Sequence, residues 1–394
     1  MDAATIAIIG GGLVGASLAL ALQEGARKRG WRIRVIEPYR PGDDYQPSYD
    51  ARSSALSLGT RQLYDQLGIW PAIASQAAAI TEIQVSEQGR FGMTCLEAHE
   101  EQVPALGYVV DNAWIGHCLW QALDENLVTR ECPAEVRQLQ PVAGGGYRLD
   151  MVDGQQHHCD LAILADGGRS GLRGQLGIDI RQRSYGQTAI IANLTPECPH
   201  QGVAYERFTR EGPMALLPLP DNRCALVLTR PTGVAERLLA MADEPFLAEL
   251  HQAFGYRLGA FLQMGQRHAY PLALVQSAEQ VRSGLVVLGN AAHSLHPIAG
   301  QGYNLSLRDV MVLADTLLHS PAPPGTLATL QQYYARQQAD QWLTIGFSDR
   351  LVQLFARPGR LLSHGRAAGL VALDLCPAAK HQFARQAMGL GDWA

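Results

Sequence analysis

The residues best suited to chemistry lie in one glycine-rich stretch, GNAAHSLHPIAGQGYN, at residues 289–304. Glycine lets the backbone approach a bound molecule closely, and the stretch also carries two titratable side chains, His293 and His296. An apolar run typical of a buried strand precedes it at residues 285–288, and the amphipathic pattern of a helix follows it. The sequence therefore predicts a strand-to-helix crossover whose free amides would favour an anion or the electron-rich edge of a ring.

A second glycine cluster, GGGLVG at residues 10–15, lies between a short β-rich run and a helical pattern. In this context Gly10 would make a tight turn, Gly12 would let the backbone approach a pyrophosphate, and Gly15 would permit close packing of the helix. Leu13 would stand at the helix start. Together these residues predict a site for the pyrophosphate of a dinucleotide.

An acidic residue, Glu37, ends the next predicted strand, at residues 32–36. Its carboxylate could accept both ribose hydroxyls of an adenosine, and its charge would repel a 2′-phosphate. The sequence therefore predicts that the bound dinucleotide is FAD or NAD rather than NADP.

Composition limits the class of protein that can carry these motifs. A chain of 394 residues exceeds the size at which one core usually keeps growing, so two domains with a helical tail are expected. The net charge of −5 and the lack of a long basic run argue against nucleic acid as a partner. Seven cysteines without a Cys-x-x-Cys pair, and no apolar run long enough to span a bilayer, predict a cytoplasmic protein.

A third motif lies between the two glycine clusters. Residues 136–165 alternate as an inserted β-meander, which leads into ADGGRSGLR at residues 165–173. The pattern Asp-Gly-x-x-Ser-x-x-Arg, from Asp166 onward, resembles the second fingerprint of the aromatic-ring flavoprotein monooxygenases. Residues 10–15 and 289–304 resemble their first and third fingerprints, in the same order and at similar spacing. Three ordered fingerprints are far more specific than any single one.

Two segments narrow this resemblance to the ubiquinone-biosynthesis hydroxylases: YDARSSAL at residues 49–56 and HPIAGQGYN at residues 296–304. The resemblance covers essentially the whole chain and is strongest to the branch that acts on an octaprenyl-methoxyphenol. Two positions depart from the usual family pattern, since Asn290 replaces an aspartate and Ser306 replaces a glycine. Asparagine keeps the capacity for hydrogen bonds and is typical of this branch, so FAD binding is expected to survive.

The resemblance implies an α/β fold with three parts. A Rossmann-like FAD-binding domain, with the inserted β-meander, would be discontinuous and comprise residues 1–80, 108–180 and 281–325. A β-sheet substrate domain would comprise residues 81–107 and 181–280, and residues 326–394 would form a helical C-terminal region. Short alternating runs within 181–280 favour a sheet independently of the resemblance, and the run at 212–219 would offer an apolar wall to the substrate.

Residue by residue, the resemblance also implies which groups meet the cofactor. The adenosine and pyrophosphate would meet Gly10, Gly12, Leu13, Gly15, Glu37 and Arg52. The ribityl chain would lie near Asp166 and Asn290, and the isoalloxazine would meet Gly300, Gln301, Gly302 and Asn304. Pro297 would place its backbone carbonyl near the reacting atom of the substrate. His296 is a second catalytic candidate, as a base, although a structural role would account for it equally well.

The implied activity is hydroxylation of the aromatic ring of a polyprenylated phenol in ubiquinone biosynthesis. Reduced FAD would form a C4a-hydroperoxide with O2 in a site that excludes water. NADPH or NADH would dock transiently as the electron donor, because no second nucleotide motif is present. The two histidines, His293 and His296, are not expected to bind a metal, because no third ligand lies nearby in the sequence.

Two other functions fit parts of the same pattern. A prenyl-chain reductase of related fold would share the first two fingerprints, and a non-catalytic prenyl-quinone carrier or scaffold would keep the fold without using FAD. Residues 351–375 combine leucines with arginines and predict a helical end. That end would pack on the chain's own sheet, or contact the inner membrane peripherally or a ubiquinone-biosynthesis complex.

Overall fold

The structure is a computed structural model that describes residues 3–39, 52–356 and 360–391. Numbered in chain order, its strands are β1 (Thr5–Ile9), β2 (Arg32–Ile36), β3 (Ser53–Ser57), β4 (Ala78–Ile80), β5 (Glu82–Glu87), β6 (Met93–Glu97), β7 (Gly107–Asp111), β8 (Val128–Glu131), β9 (Val136–Pro141), β10 (Tyr147–Met151), β11 (Gln156–Cys159), β12 (Leu161–Leu164), β13 (Ile180–Pro196), β14 (Val203–Thr209), β15 (Gly212–Leu219), β16 (Arg223–Pro231), β17 (Phe261–Met264), β18 (His268–Ser277), β19 (Val281–Arg282), β20 (Leu285–Val287) and β21 (His293–Ser294). Its helices are α1 (Leu13–Arg29), α2 (Leu58–Gln66), α3 (Trp70–Ala74), α4 (Asn112–Ala122), α5 (Leu172–Gln175), α6 (Thr232–Ala240), α7 (Asp243–Phe254), α8 (Gln301–His319), α9 (Leu327–Ala356), α10 (Arg360–Leu375) and α11 (Pro377–Ala387).

A six-stranded sheet carries the predicted nucleotide-binding loops. Its strand order is β19-β20-β12-β1-β2-β8, and all pairings except β19 with β20 are parallel. Parallel sheets are usually covered on both faces, which explains the nearly continuous apolar runs of these strands. The carboxyl ends of parallel strands share one edge, so the loops that begin at Gly10, Glu37, Ala165 and Leu288 are brought to the same edge.

The two faces of this sheet have different covers. Ile6 and Ile8 pack in a core cluster with apolar residues of α1, α4 and α8. Ala7 and Ile9 point the other way and pack with Leu149 of the β-meander. The predicted meander is confirmed, because β9, β10 and β11 form an antiparallel three-stranded sheet.

A second sheet contains nine strands. Its order is β21-β18-β13-β16-β15-β14-β5-β6, with β17 pairing to β13 at one side. The sheet predicted within residues 181–280 is confirmed, because β13, β14, β15 and β16 lie there and pair with one another. On one face, Ile190, Leu216 and Leu226 pack with the apolar residues of α6 and α7. On the other face, Ala204 and Leu219 pack with residues of β4 and β7, so this face is turned toward the nucleotide-binding part.

The C-terminal region is helical, as predicted. The long helix α9 packs along α8, where the Arg308 guanidinium donates two hydrogen bonds to the Asp340 carboxylate. Helix α10 packs on β6, and the hydroxyl of Thr94 donates to the carbonyl of Leu370 at 2.6 Å. The tail therefore packs on the chain's own sheet. In the three described ranges, no helix is long and apolar enough to cross a membrane.

Candidate active site

The first glycine loop joins β1 to α1 and leaves almost no room for side chains. Gly10 has a φ of +104°, and a Cβ there would lie 2.5 Å from the carbonyl oxygen of Ala165. A Cβ on Gly15 would lie only 1.9 Å from the carbonyl oxygen of Gly10. Contacts this short do not occur between real atoms, so both positions require glycine.

The start of α1 presents backbone amides to this edge of the sheet. Gly12 is the N-cap residue, no side chain caps the helix, and the first turn contains no acidic residue. The first amides of a helix have no partner within the helix, and the helix dipole adds a partial positive charge there. With Leu13 buried beneath it, this helix start suits an anion such as a pyrophosphate.

Glu37 follows β2 and lies beside the glycine loop, where the sequence places it. Its carboxylate accepts hydrogen bonds from the N–H of Gly11 at 2.7 Å and from the N–H of Tyr39 at 3.2 Å. The residue is 6% exposed, and burial raises its pKa, while the two amide hydrogen bonds offset part of that rise. Since each carboxylate oxygen can accept more than one hydrogen bond, Glu37 can still receive a ribose hydroxyl.

Trp120 also contacts the glycine loop, although no sequence motif indicated this contact. Its indole Nε1 donates to the carbonyl oxygen of Gly11 at 2.8 Å. A Cβ on Gly11 would lie 2.6 Å from the Trp120 ring, so this glycine is also required. The two residues are 109 positions apart, and a tryptophan within an apolar helix carries no signal of such a contact.

The second fingerprint forms a compact turn after β12. The Asp166 carboxylate accepts hydrogen bonds from the N–H of Gly168 at 3.0 Å and from the N–H of Ser170 at 2.9 Å, and the Ser170 hydroxyl also donates to it. The turn touches the first loop, because a Cβ on Gly10 would lie 2.8 Å from the Cα of Asp166. Asp166 thus shapes its own loop and holds it beside the glycine loop.

The third fingerprint meets both of the others. Gly289 has a φ of +63°, and a Cβ there would lie 3.1 Å from both methyl groups of Val14, in the first turn of α1. The guanidinium of Arg173, the last residue of the second fingerprint, donates to the carbonyl of Ala291, which also accepts the Ser277 hydroxyl at 2.9 Å. The three loops therefore form one continuous backbone surface.

The start of α8 supplies a second set of free amides. Gly300 is its N-cap in the left-handed conformation, with φ +62°, and no side chain caps the helix. A Cβ on Gly300 would lie 3.1 Å from the Cβ of Ala55, whereas a Cβ on Gly302 would meet nothing within 4 Å. The first turn of α8 therefore has open space beside Gly302, and its first amides have no partner within the helix.

Asn304 positions this helix start. Its side-chain oxygen accepts the N–H of Ser57 at 3.0 Å, and its amide nitrogen donates to the carbonyls of Ala55 at 3.0 Å and Gly300 at 2.8 Å. Both amide hydrogens are thus used, and the residue is only 2% exposed. Asn304 ties the helix start to β3, 247 residues earlier, which leaves contact with a ring to the backbone around it.

His296 lies in the loop before α8 and is 1% exposed. Its Nδ1 accepts the N–H of Ile298 at 3.2 Å, and burial lowers the pKa of the imidazole to about 4. The neutral ring therefore carries its proton on Nε2, which bonds to no residue that the structure describes. This geometry offers a hydrogen-bond donor rather than a base. The carbonyl of the adjacent Pro297 accepts the N–H of Gly300 at 3.1 Å and retains a second lone pair.

His293, the other histidine of the stretch, belongs to a buried polar network. Its Nε2 lies 2.5 Å from the Asp309 carboxylate, which also accepts hydrogen bonds from Gln337 at 2.7 Å and from Gln341 at 2.9 Å. In the part of the chain that the structure describes, no three His, Cys, Asp or Glu side chains are grouped to hold a metal ion. His293 instead fixes the loop to α8 and α9.

The remaining predicted cofactor contacts lie around the margin of these loops. Asn290 is exposed, in the turn between β20 and β21, and Gln301 is buried in the first turn of α8. The Arg52 guanidinium lies over the ring of Tyr270 at 5.0 Å from its centre, between β3 and the nine-stranded sheet. Residues 49–51 of the predicted motif lie outside the described residues.

The loops fit a dinucleotide that carries a flavin. An uncapped helix start beside Gly12 suits the pyrophosphate, and Glu37 beside it suits the ribose. The uncapped start of α8, open beside Gly302, suits the electron-rich edge of a ring system. The glycine loop and Glu37 border the same edge of the parallel sheet, and the start of α8 is tied to β3.

Comparison with known proteins identifies the same cofactor. Residues 3–348 match the family described as "FAD binding domain". The ubiquinone hydroxylase UbiL of Rhodospirillum rubrum is 36% identical over 390 residues, which cover 98% of this chain and 90% of that protein. The 3-demethoxyubiquinol 3-hydroxylase of Escherichia coli is 31% identical, with 98% of each chain covered. The mitochondrial ubiquinone biosynthesis monooxygenase COQ6 of Homo sapiens is 28% identical, covering 96% of this chain and 91% of that protein.

Solved structures share the fold at lower sequence identity. HpxO of Klebsiella pneumoniae, crystallised with FAD, superposes with a TM-score of 0.78 at 16% identity, covering 99% of this chain and 100% of that one. PqsL of Pseudomonas aeruginosa, described as a probable FAD-dependent monooxygenase, also has a TM-score of 0.78, at 20% identity, with 94% and 100% covered. The α/β fold predicted from the sequence is thereby confirmed.

The contact between Gly15 and Gly10 gives a direct test of the loop. We expect Gly15→Ala to push α1 away from β1. The free energy of unfolding should fall by about 1–3 kcal/mol, and the purified protein should retain less FAD. Flavin absorbance after gel filtration and urea unfolding measure both effects. Gly233→Ala in α6 is the matched control, because a Cβ there meets nothing within 4 Å. Retention of FAD by Gly15→Ala at the level of this control would contradict the close-packing argument.

Burial of neutral His296 makes folding sensitive to acid. The unfolded chain binds a proton on this ring near its ordinary pKa of 6.5, whereas the folded chain binds it only near 4, so acidification through that window favours unfolding. Between about pH 7 and about pH 5, the free energy of unfolding should therefore fall in both proteins, but by about 2 kcal/mol less in His296→Gln than in wild type. Urea unfolding at the two pH values measures this difference, and equal losses in the two proteins would show that the folded ring still protonates normally.

Proposed function

The chain belongs to the FAD-dependent hydroxylases of ubiquinone biosynthesis, and from that premise we propose that it hydroxylates the aromatic ring of a polyprenylated phenol with O2 and NADPH or NADH. The observation that carries the proposal is the convergence of three loops on one sheet edge, opposite an apolar face of a second sheet. Oxygen transfer from a flavin to a ring carbon needs this combination, because the substrate must be held against the cofactor in a site that excludes water.

The apolar inner face of the nine-stranded sheet suits the prenyl chain of such a substrate. Along β15, Met214 and Leu216 pack under the helices of the outer face, so Ala215 and Leu217 alternate to the inner face. Near the α8 loop, Ile298 packs in a buried cluster with residues of β14 and α9. Apolar residues of this face thus extend to the loop that carries Pro297, which supports a prenylated phenol as the substrate.

The residues of the chain would bind and orient the reactants, while bound FAD would supply the oxygen-transfer chemistry. Gly10, Gly12, Leu13, Gly15, Glu37 and Arg52 would hold its adenosine and pyrophosphate, Asp166 and Asn290 would border the ribityl chain, and the amides from Gly300 to Gly302 would face the isoalloxazine edge. The free lone pair of the Pro297 carbonyl and the Nε2–H of His296 would orient the phenol. Asn304 would act by positioning the helix start.

The finer assignment rests on the motifs of the sequence. Asn290 in place of aspartate and the segment HPIAGQGYN support an octaprenyl-methoxyphenol as the substrate within this family. The lack of a second nucleotide motif in the sequence supports transient docking of NADPH or NADH. The loop at 296–304 favours hydroxylation over reduction of a prenyl double bond, because its backbone amides would face the ring edge of bound FAD.

The reaction itself gives the main test of this proposal. With FAD and a farnesylated methoxyphenol, we expect NADPH or NADH oxidation that the phenol stimulates, O2 uptake, and a product one oxygen atom heavier by mass spectrometry. Reduction of a prenyl double bond without O2 uptake would instead identify a reductase. A protein that shows no flavin absorbance after addition of FAD would be a carrier. In the native host, disruption of the gene should accumulate a quinone precursor that lacks one ring oxygen.

A surface at the end of the C-terminal region suits contact with a membrane that contains the substrate. Phe91, in the turn between β5 and β6, is fully exposed, and Leu375 at the end of α10 is 77% exposed. Both line one open concavity with Arg90, Arg207 and Arg257. Exposed apolar side chains beside arginines are the combination that binds the surface of an anionic bilayer.

Vesicle binding tests this surface. We expect the double variant Phe91→Ser/Leu375→Ser to lose several-fold in partition to phosphatidylglycerol vesicles, because both anchoring side chains are removed. Val152→Ser/Trp342→Ser is the matched control, since these residues are also exposed but lie on other elements. Equal partition of wild type and both variants would exclude membrane contact through this surface, and hydroxylation of a detergent-solubilised phenol should be unaffected.

A further inference from the structure

One carboxyl group, that of Glu206, occupies the inner face of the nine-stranded sheet. Side chains alternate along β14, and Tyr205 packs in the outer cluster against Phe254. Glu206 therefore points to the inner face, together with Ala204 and Phe208. The register supports this placement, because Glu206 pairs with Val85 on β5 and with Ala215 on β15.

The neighbours of Glu206 on the same face locate it relative to the loop before α8, which carries His296, Pro297 and Ile298. Ala204 packs with Ile80 and Val109, which belong to β4 and β7. Phe208 packs with Ile298 of the loop before α8. Successive residues on one face of a strand are about 7 Å apart. The Glu206 side chain therefore lies about 7 Å along β14 from Phe208, which contacts the loop before α8. Val85, its partner in register, packs against the same cluster.

The environment of this carboxyl is unusual for a structural residue. The Glu206 side chain is only partly exposed, and its neighbours on this face, Ala204, Phe208, Val85 and Ala215, are apolar. No hydrogen bond or ion pair joins it to another residue within the described ranges. Burial raises the pKa of Glu206 to about 8. By contrast, Glu87 on the same inner face is paired with Arg366.

We propose that Glu206 is a catalytic base that accepts the phenolic proton of the substrate, an inference that rests on the proposed function. The O–H bond breaks, the proton moves to a Glu206 oxygen, and the electron pair left on the phenolate increases the electron density at the para carbon. That carbon then takes one oxygen atom derived from O2 and loses its hydrogen as a proton when the ring regains aromaticity. The second oxygen atom leaves as water, and NADPH or NADH supplies the two electrons.

A carboxyl group is chemically suited to this step. A phenol resembles the tyrosine side chain, whose pKa is near 10, so a base titrating near neutral pH can take its proton reversibly. The apolar wall around Glu206 disfavours a free charge, and the substrate hydroxyl would provide the hydrogen bond that the carboxylate lacks. His296 cannot serve as this base, because its Nδ1 is bonded to Ile298 and its Nε2 carries the proton.

Few charged groups on the elements packed against this face compete with Glu206 for the proton. Burial is the cause of its raised pKa, without a contribution from a neighbouring charge. The charged and titratable groups on this face, or on elements packed against it, include Glu87 with Arg366, Arg183 with Asp349, Arg52 with Tyr270, His296 with Tyr185, and His268. The pH dependence of the reaction should therefore report Glu206.

The test compares wild type with Glu206→Gln in the complete holoenzyme. The probes are 2-farnesyl-6-methoxyphenol and the same compound with its phenolic oxygen methylated. We expect kcat/KM of wild type with the phenol to rise with pH to a plateau above about pH 8, and Glu206→Gln to lose that rise and about 10²–10⁴-fold in kcat/KM at neutral pH. FAD content should be unchanged. Binding of the phenol, followed by perturbation of the flavin spectrum, should weaken, whereas binding of the methyl ether should not.

Two further variants make the result specific. Glu206→Asp keeps a carboxylate at a shorter reach and should restore part of the activity and of the pH profile. Glu236→Gln removes an equal charge from the exposed surface of α6 and should behave as wild type. If wild type hydroxylates the phenol and Glu206→Gln does so equally well, the base assignment is overturned and the proposed function stands. If wild type forms no hydroxylated product, the proposed function fails and the base role with it.

Discussion

The approach of Gly15 to the carbonyl oxygen of Gly10 sets the position of α1 over the edge of the parallel sheet. A side chain at either glycine would separate the helix from the strand, because the available space is smaller than one carbon atom. With α1 in this position, its free amides face the edge where Glu37 ends β2, and Val14 in its first turn rests on Gly289. The nucleotide site therefore depends on backbone contacts more than on side-chain chemistry.

Side chains that do not face the cofactor hold the three loops in fixed positions relative to one another. Arg173 joins the second loop to the third through the Ala291 carbonyl, and Asn304 joins the start of α8 to β3. Trp120 holds the Gly11 carbonyl. Each of these groups makes hydrogen bonds within the protein, which stiffens the loops and leaves their backbone amides available for the cofactor. Preorganisation of this kind lowers the cost of placing a ring within reach of its substrate.

The polar loops and the apolar sheet face complement each other across the site. One side offers amides and helix dipoles for a charged, hydrogen-bonding cofactor, and the other offers aliphatic groups for a hydrocarbon chain. Polar groups on the apolar side include the carboxyl group of Glu206 on β14 and the Nε2 of His296 at the loop. A phenol has one polar atom attached to an apolar body, so an arrangement with few polar groups matches it.

The short-range features of this protein follow from the sequence alone. The glycine turns, the acid that ends β2, the meander and the alternating strands depend on local φ values and on the side-chain periodicity of neighbouring residues, and each lies where the sequence predicts it. The hydrogen-bond partners of Trp120 and Asn304 lie in segments far apart in the chain, 109 and 247 residues away. Only the tertiary structure decided that Asn304 positions a helix and that His296 offers a donor, because burial and hydrogen bonding, not residue type, determine what each polar group can do.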